Sequence, residues 1–191
     1  MIEHIYKEGT YRSTARASMR HENAPPTYPW LLIVGETPGT PNGNLAHHLH
    51  PAWAITKTLN IWLGRAGFHP ESARRINFRN VVPIHLHERA VSQKDVAEWT
   101  TWMDLNLQVL QPDVVMTLGR LAANAFLPVV HHLVRHAGAT YQIERAGEKI
   151  EVLPFPHPSG RNRFFNDDEG REALARCIET LNERREQHDD R

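Results

Sequence analysis

His157 is the residue in this sequence best placed for chemistry. It follows the apolar run Val152-Leu153-Pro154-Phe155-Pro156 and precedes Pro158, Ser159, Gly160, Arg161, Asn162 and Arg163, with Phe164 and Phe165 next. Proline lacks an amide hydrogen and fixes its own φ, so the segment forms a rigid loop rather than a helix start. An imidazole, a hydroxyl and two guanidinium groups on a rigid loop at the end of a buried strand are held still by the sheet behind them, which is where α/β proteins place chemistry. The plainer alternative is a strand-to-helix connection whose polar groups face water. The candidate carboxylate is Glu36, directly after the apolar run Trp30-Leu31-Leu32-Ile33-Val34 and Gly35. The glycines of Gly35 to Asn44 permit close approach of a ligand to backbone amides. Their spacing is not that of a dinucleotide fingerprint, and the Lys-Ser/Thr pair of a phosphate loop is missing. Asn80 lies within a third run, Arg74 to Pro83. Its side-chain amide offers both a donor and an acceptor, which suits the edge of a base; the ordinary alternative is a strand-end asparagine bonded to local backbone.

The cluster His47-His48-Leu49-His50 raises the question of a metal. Adjacent imidazoles point apart, and only His47 and His50 could share a helical face. With 13 histidines in the chain, chance clustering accounts for the group, and no metal site is assigned.

Composition bounds the possible functions. A chain of 191 residues with 40% hydrophobic and 23% charged residues is an ordinary globular balance, read as one domain able to bury a substantial core. Within it, residues 1–28 read as an N-terminal arm carrying Lys7, Arg12, Arg16 and Arg20, and residues 183–191 as a charged tail expected to be solvated and to fray. Lys+Arg and Asp+Glu both number 22, so any affinity for nucleic acid must come from a local patch. The single cysteine, Cys177, excludes an internal disulfide and an all-cysteine zinc or iron–sulfur site, and fits a reducing cytoplasm. No apolar run approaches the length of a membrane span, and a signal-peptide centre is not expected at the N-terminus.

The elements that must position these residues can be read in order. Leu31 to Val34 is apolar without interruption, as a strand covered on both faces requires. From Pro51, the residues Ile55, Leu59, Trp62, Leu63 and Ala66 recur at helical spacing up to Gly67. Arg74 to Pro83 predicts a second buried strand. Ser92 and Asp95 form an N-cap pair opening a helix expected to reach about Leu110, burying Val96, Trp99, Met103 and Leu107. Pro112 to Gly119 predicts a third strand and a turn, and Leu121 to His132 a helix. Thr140 to Phe155 alternates around Ala146-Gly147, predicting a hairpin whose second strand feeds the His157 loop. Asp167 to Glu169 opens a final helix burying Leu174, Ile178 and Leu181. Strands alternating with helices imply a three-layer α/β/α sandwich on a mainly parallel central sheet. In such a sheet the loops carrying Glu36, Asn80 and His157 meet in one crevice at the carboxyl ends of the strands.

With these loops placed, the chain resembles the uracil-DNA glycosylase superfamily from about Leu31 to Asn162. Gly35-Glu36-Thr37-Pro38-Gly39 resembles its first motif, and Phe78-Arg79-Asn80-Val81-Val82 its strand bearing the base-reading asparagine. Pro112 to Ala125 is similar to its Leu-Gly-x-x-Ala segment, and His157-Pro158-Ser159 with Arg161-Asn162 to its second catalytic motif. The resemblance implies hydrolysis of the N-glycosidic bond of uracil, or of a related or modified pyrimidine, after the nucleotide is flipped out of the duplex. Asn80 would then bond the O4 and N3 edge of uracil, His157 would donate to O2, and Glu36 would orient or deprotonate the attacking water. Backbone amides near Gly35 and Thr37 would complete the pocket. Ser159, Arg161 and Arg163 would grip phosphates, and Phe164 or Phe165 would fill the vacated stack. The branch carrying Glu in its first motif has four cysteines that bind an iron–sulfur cluster, whereas this chain has one cysteine, so no cofactor is expected. That branch also stacks a phenylalanine on uracil; here Leu49, His50 or Trp53 falls in that vicinity, and His50 is carried as the substrate-binding candidate. The implied partner is uracil- or modified-base-containing DNA, engaged by a cytoplasmic monomer without an obligate protein partner. Two other classes are weighed against this: a catalytically silent glycosylase-like protein that binds DNA or a partner through the same cleft, and a metal hydrolase using His47, His50, His85 or His87.

Overall fold

The computed structural model describes residues 29–37, 54–69, 76–83, 90–128, 130–159 and 166–189, of which 54–56 by their backbone alone. The N-terminal arm, the His47–His50 cluster, His85, His87, Arg161, Arg163 and Phe164 lie outside the described residues.

Among the described residues five strands form one sheet: β1 (Leu31–Gly35), β2 (Ile76–Asn80), β3 (Val114–Leu118), β4 (Tyr141–Arg145) and β5 (Glu148–Phe155), in the order β2-β1-β3-β5-β4. Only β4 runs antiparallel, paired with β5 in a hairpin. Its two turn residues, Ala146 at φ 56 and Gly147 at φ 83, both take positive φ, the twist that lets two antiparallel strands close on a two-residue turn. The uninterrupted apolar character of β1 has a direct cause: Leu31 and Ile33 pack into one side layer, while Leu32 and Val34 pack into the other.

Helices α1 (Ala54–Arg65) and α6 (Asp168–Asp189) cover the first face through Leu59, Trp62, Leu63, Ala173, Cys177 and Leu181. Helices α2 (Gln93–Glu98), α3 (Thr100–Leu110) and α4 (Arg120–Asn124) cover the second through Val96, Met103, Leu107, Ala122 and Ala123. A single turn, α5 (Leu133–His136), precedes the hairpin. This is the three-layer sandwich on a mainly parallel sheet that the alternation of elements implied. Among the described residues no helix is long and apolar enough to cross a membrane.

Four elements differ from the sequence reading. β2 ends the described sheet instead of lying inside it, so Ile76, Asn77 and Phe78 are only half-buried. The helix opened by Ser92 has the expected cap: Asp95 N–H donates to Ser92 Oγ at 3.3 Å, and Ser92 N–H donates to Asp95 Oδ2 at 2.8 Å. It breaks at Trp99, whose φ −100 and ψ 12 separate α2 from α3. The helix expected over Leu121 to His132 stops at Asn124, ahead of Pro128, which disfavours helical geometry before it. The Asn124 side chain then accepts the Val130 N–H at 2.6 Å, turning the chain toward α5.

The fourth is the charged tail, which is helical through its described residues: α6 continues to Asp189. Arg184 pairs with Glu151 on β5, and Arg185 Nε donates to the Ala66 carbonyl at 3.1 Å. His188 is buried with its ring stacked 4.5 Å from that of Trp30. The run is polar by composition, but its long side chains lie across the edge of the core and find partners there.

Candidate active site

β1 and β3 are neighbours, yet the chain travels from β1 outward to β2 before crossing back to β3. The order therefore reverses between β1 and β3, and at such a switch point the loops leaving the two strands diverge and open a crevice. Glu36 follows β1 at this switch point, Gly119 follows β3, and His157 lies just beyond β5, which pairs with β3 on its far side.

Gly119 brings the first two candidate residues together. Its φ of +93 is in the region that disfavours a side chain. A Cβ placed there would lie 2.7 Å from Glu36 Oε1, 3.3 Å from His157 Cβ and 3.4 Å from His157 Cδ2. The carboxylate and the imidazole thus meet over a Cα that carries no side chain.

The backbone beneath Glu36 is held by a ladder that outlasts the strands: Val81 N–H donates to Gly35 O and Val82 N–H to Glu36 O, each at 3.0 Å. Burial pushes the Glu36 carboxyl above its ordinary value, against the smaller opposing effects of the Leu121 N–H that it accepts and the nearby Arg120 guanidinium. Burial pushes His157 below its ordinary value, which favours the neutral ring. Its Nδ1 faces the Ser159 N–H at 3.3 Å and therefore accepts. In a neutral imidazole this assigns the proton to Nε2, leaving that nitrogen a donor.

Asn80 sits on the other flank, paired in register with Gly35. The residue is nearly enclosed, 6% exposed, and a Cβ on Gly35 would come within 2.7 Å of Asn80 Oδ1 and 3.1 Å of Phe78 Cζ. Glycine at 35 is what leaves room for the amide. The Asn80 carbonyl accepts the Trp102 indole N–H at 3.2 Å.

Of the residues singled out by sequence, Gly35, Glu36, Thr37, Asn80, His157 and Ser159 all lie at the carboxyl ends of β1, β2 and β5. His50, Arg161, Arg163 and Phe164 lie outside the described residues. Ser159 contributes through its backbone amide to the His157 ring, a contact the sequence does not show. Sequence reading took Gly119 as a turn residue only, and gave no role in the site to the Leu121 N–H or to Trp102. For Gly119 there was a signal: a glycine between a buried strand and a helix start marks a place where something packs closely on the backbone.

Among the described residues no group of three or more His, Cys, Asp or Glu side chains could hold a metal ion. Cys177 is a core residue: burial pushes its thiol up to about 12, and Sγ lies 3.5 Å from the Pro154 carbonyl. It is a packing group, not a nucleophile.

A family model described as the uracil DNA glycosylase superfamily matches residues 23–182. The chain is also 26% identical over 133 residues to a protein of Archaeoglobus fulgidus named type-4 uracil-DNA glycosylase, an alignment covering 68% of this chain and 65% of that protein. It thus spans just under two thirds of that relative's length. The match spans all five strands of the described sheet, and the chain belongs to the uracil DNA glycosylase superfamily.

Proposed function

We propose that this protein is a monofunctional DNA glycosylase that hydrolyses the N-glycosidic bond of uracil, or of a related pyrimidine, and leaves an abasic site. The observation that supports this is the approach of Glu36 and His157 to the same Cα, that of Gly119, with the Asn80 amide against Gly35, the residue before Glu36. A glycosidic bond inside the duplex is out of reach, so the nucleotide must be extruded into this crevice.

The chemistry follows from the protonation states. As the C1′–N1 bond breaks, its electron pair passes to the base, and negative charge grows on the ring and at O2. The Nε2–H of a neutral His157 is a donor for that charge, and a donor aimed at charge that develops in the transition state is worth about 3 kcal/mol. Water adds to C1′ and loses a proton. Glu36, its carboxyl raised toward the working pH by burial, is the group to orient that water and take the proton. The Asn80 amide presents an acceptor for N3–H and a donor for O4, a pattern cytosine cannot match. Ser159, Arg161 and Arg163 are assigned to phosphate contacts, Phe164 to the vacated stack, and Thr37 and His50 to the base pocket.

One observation favours the silent-binder reading. The Glu36 carboxylate accepts the Leu121 N–H at the start of α4, a structural task that needs no turnover. Incubation with a uracil-containing duplex or single strand, followed by alkali, separates the two. The enzyme produces strand scission at the uracil; a binder retards the oligonucleotide without cutting it.

A further inference from the structure

Asn80 can discriminate bases only if its backbone is held as firmly as its side chain. β2 gives it support from one side alone, because it ends the described sheet. The Val81 N–H points inward to Gly35, so by strand alternation the carbonyls of Phe78 and Asn80 point outward, where no described strand meets them.

Side-chain donors take the place of that strand. Arg79 Nη1 donates to the Phe78 carbonyl at 2.8 Å, and Trp102 Nε1 donates to the Asn80 carbonyl at 3.2 Å. The two donors are joined through α3: Arg79 Nε donates to Asn106 Oδ1 at 2.8 Å, and Asn106 Nδ2 donates to the Trp102 carbonyl at 2.7 Å. Arg79 and Asn106 are each 8% exposed, so the connection is shielded from water that would otherwise compete for it. Trp102 and Asn106 are one helical turn apart, so a single face of α3 grips the end of β2.

We infer that Trp102, braced by Asn106 and Arg79, is a positioning residue that sets the orientation of the Asn80 amide and thereby the base preference of the site. This rests on the assignment of Asn80 as the base-reading residue. Trp102 is assigned no contact with the base. Its contribution passes through one hydrogen bond to the main chain of Asn80, whose Oδ1 is already confined against Gly35. A small rotation of that backbone displaces the amide from the N3 and O4 positions.

The test compares Trp102→Phe with Asn80→Asp. Phenylalanine keeps the ring packing and removes the indole N–H. The readouts are the uracil-to-cytosine ratio of kcat/KM, the melting temperature and the Asn80 side-chain amide resonance. Loss of one neutral hydrogen bond corresponds to roughly a fivefold effect. The expected result is therefore a roughly fivefold lower ratio in Trp102→Phe, a melting temperature lower by only about 2–4 °C and a shifted Asn80 amide. A ratio that moves in Asn80→Asp but not in Trp102→Phe overturns the inference and leaves the reading of Asn80 intact. A ratio that moves in neither overturns the reading and the inference with it. In the unaltered protein, the Trp102 indole N–H resonance is expected to move on saturation with free uracil. An unmoved indole also overturns the inference, whether or not the phenylalanine variant folds.

Discussion

The Glu36 carboxylate and the His157 imidazole close on the same bare Cα, that of Gly119: a methyl group there would stand 2.7 Å from Glu36 Oε1 and 3.3 Å from His157 Cβ. Both side chains are shifted toward their uncharged forms by the same cause, removal from water, although one is an acid and the other a base. A carboxylate able to take a proton and a neutral imidazole able to donate a hydrogen bond are the pair a hydrolytic base-excision step requires.

Gly119→Ala is expected to separate that pair. Strained φ alone costs about 1–3 kcal/mol, and the added methyl displaces Glu36 or His157. Gly147→Ala is the control, since it shares the positive φ, at +83, but has nothing within 4 Å of the added Cβ. Both variants should melt lower than the parent by thermal denaturation. Only Gly119→Ala should lose uracil excision, by more than about tenfold in single turnover. Equal excision rates in the two variants would contradict the contact.

His157→Ala should lower single-turnover excision by roughly a hundredfold, the cost of a donor aimed at developing charge. Affinity for the uracil-containing oligonucleotide should stay within a few fold, because the bond strengthens mainly in the transition state. Rates and titrations on one oligonucleotide read both quantities. Parallel losses would make His157 a binding residue.

The pH dependence has a definite sign. The active form needs Glu36 ionised and His157 neutral, and acid removes both. Excision therefore falls on the acid side, with a Glu36 component displaced upward from the ordinary 4.5 and a His157 component displaced downward from 6.5. Stability responds in opposite directions. The raised Glu36 value favours the folded state at low pH, and that contribution is lost as pH rises through it. The lowered His157 value favours the folded state above 6.5, and that contribution is lost as pH falls through it. The melting temperature of Glu36→Gln relative to the parent should thus climb as pH rises from 4.5. A difference that stays flat across pH would show that Glu36 is not destabilised by burial.

His188→Ala should leave excision unchanged and lower stability by about 1–2 kcal/mol, a usual cost for a buried aromatic-like contact. His188 stacks on Trp30 and its Nδ1 lies 3.6 Å from Asp113 Oδ2, which ties the end of α6 to the strand entrance of the sheet. Denaturant unfolding measures the loss. A variant as stable as the parent would mean that the last turn of α6 contributes nothing.

Much of this arrangement was legible because local chemistry and global fold agree. Leu31 to Val34 reads as a doubly covered strand because both of its faces are buried, and Ala146-Gly147 reads as a hairpin because the turn demands positive φ at two positions. The Ser92–Asp95 cap is visible for the same reason. What escaped depends on partners distant in the chain. The tail from Glu183 is charged in composition, and only the positions of Glu151, Ala66 and Trp30 show why it remains helical. Trp99 was expected to be core, but the chain breaks its helix there and leaves the ring partly exposed. In the site, residue types identified Glu36, Asn80 and His157 as candidates. That Glu36 and His157 both approach Gly119, and that Trp102 donates to the Asn80 carbonyl, follows from where β3 ends and from the face that α3 turns to β2.

The central claim is that segments from β1, β2 and β5 hold one extruded base between them. The most direct measurement is a crystal structure of the protein soaked with free uracil or bound to an abasic duplex. The account predicts uracil in the switch-point crevice, with its O2 on His157 Nε2, its N3 and O4 edge on the Asn80 amide, and Glu36 facing the position of C1′. Uracil bound elsewhere on the molecule, or in the crevice with its N3 and O4 edge turned away from Asn80, would contradict it.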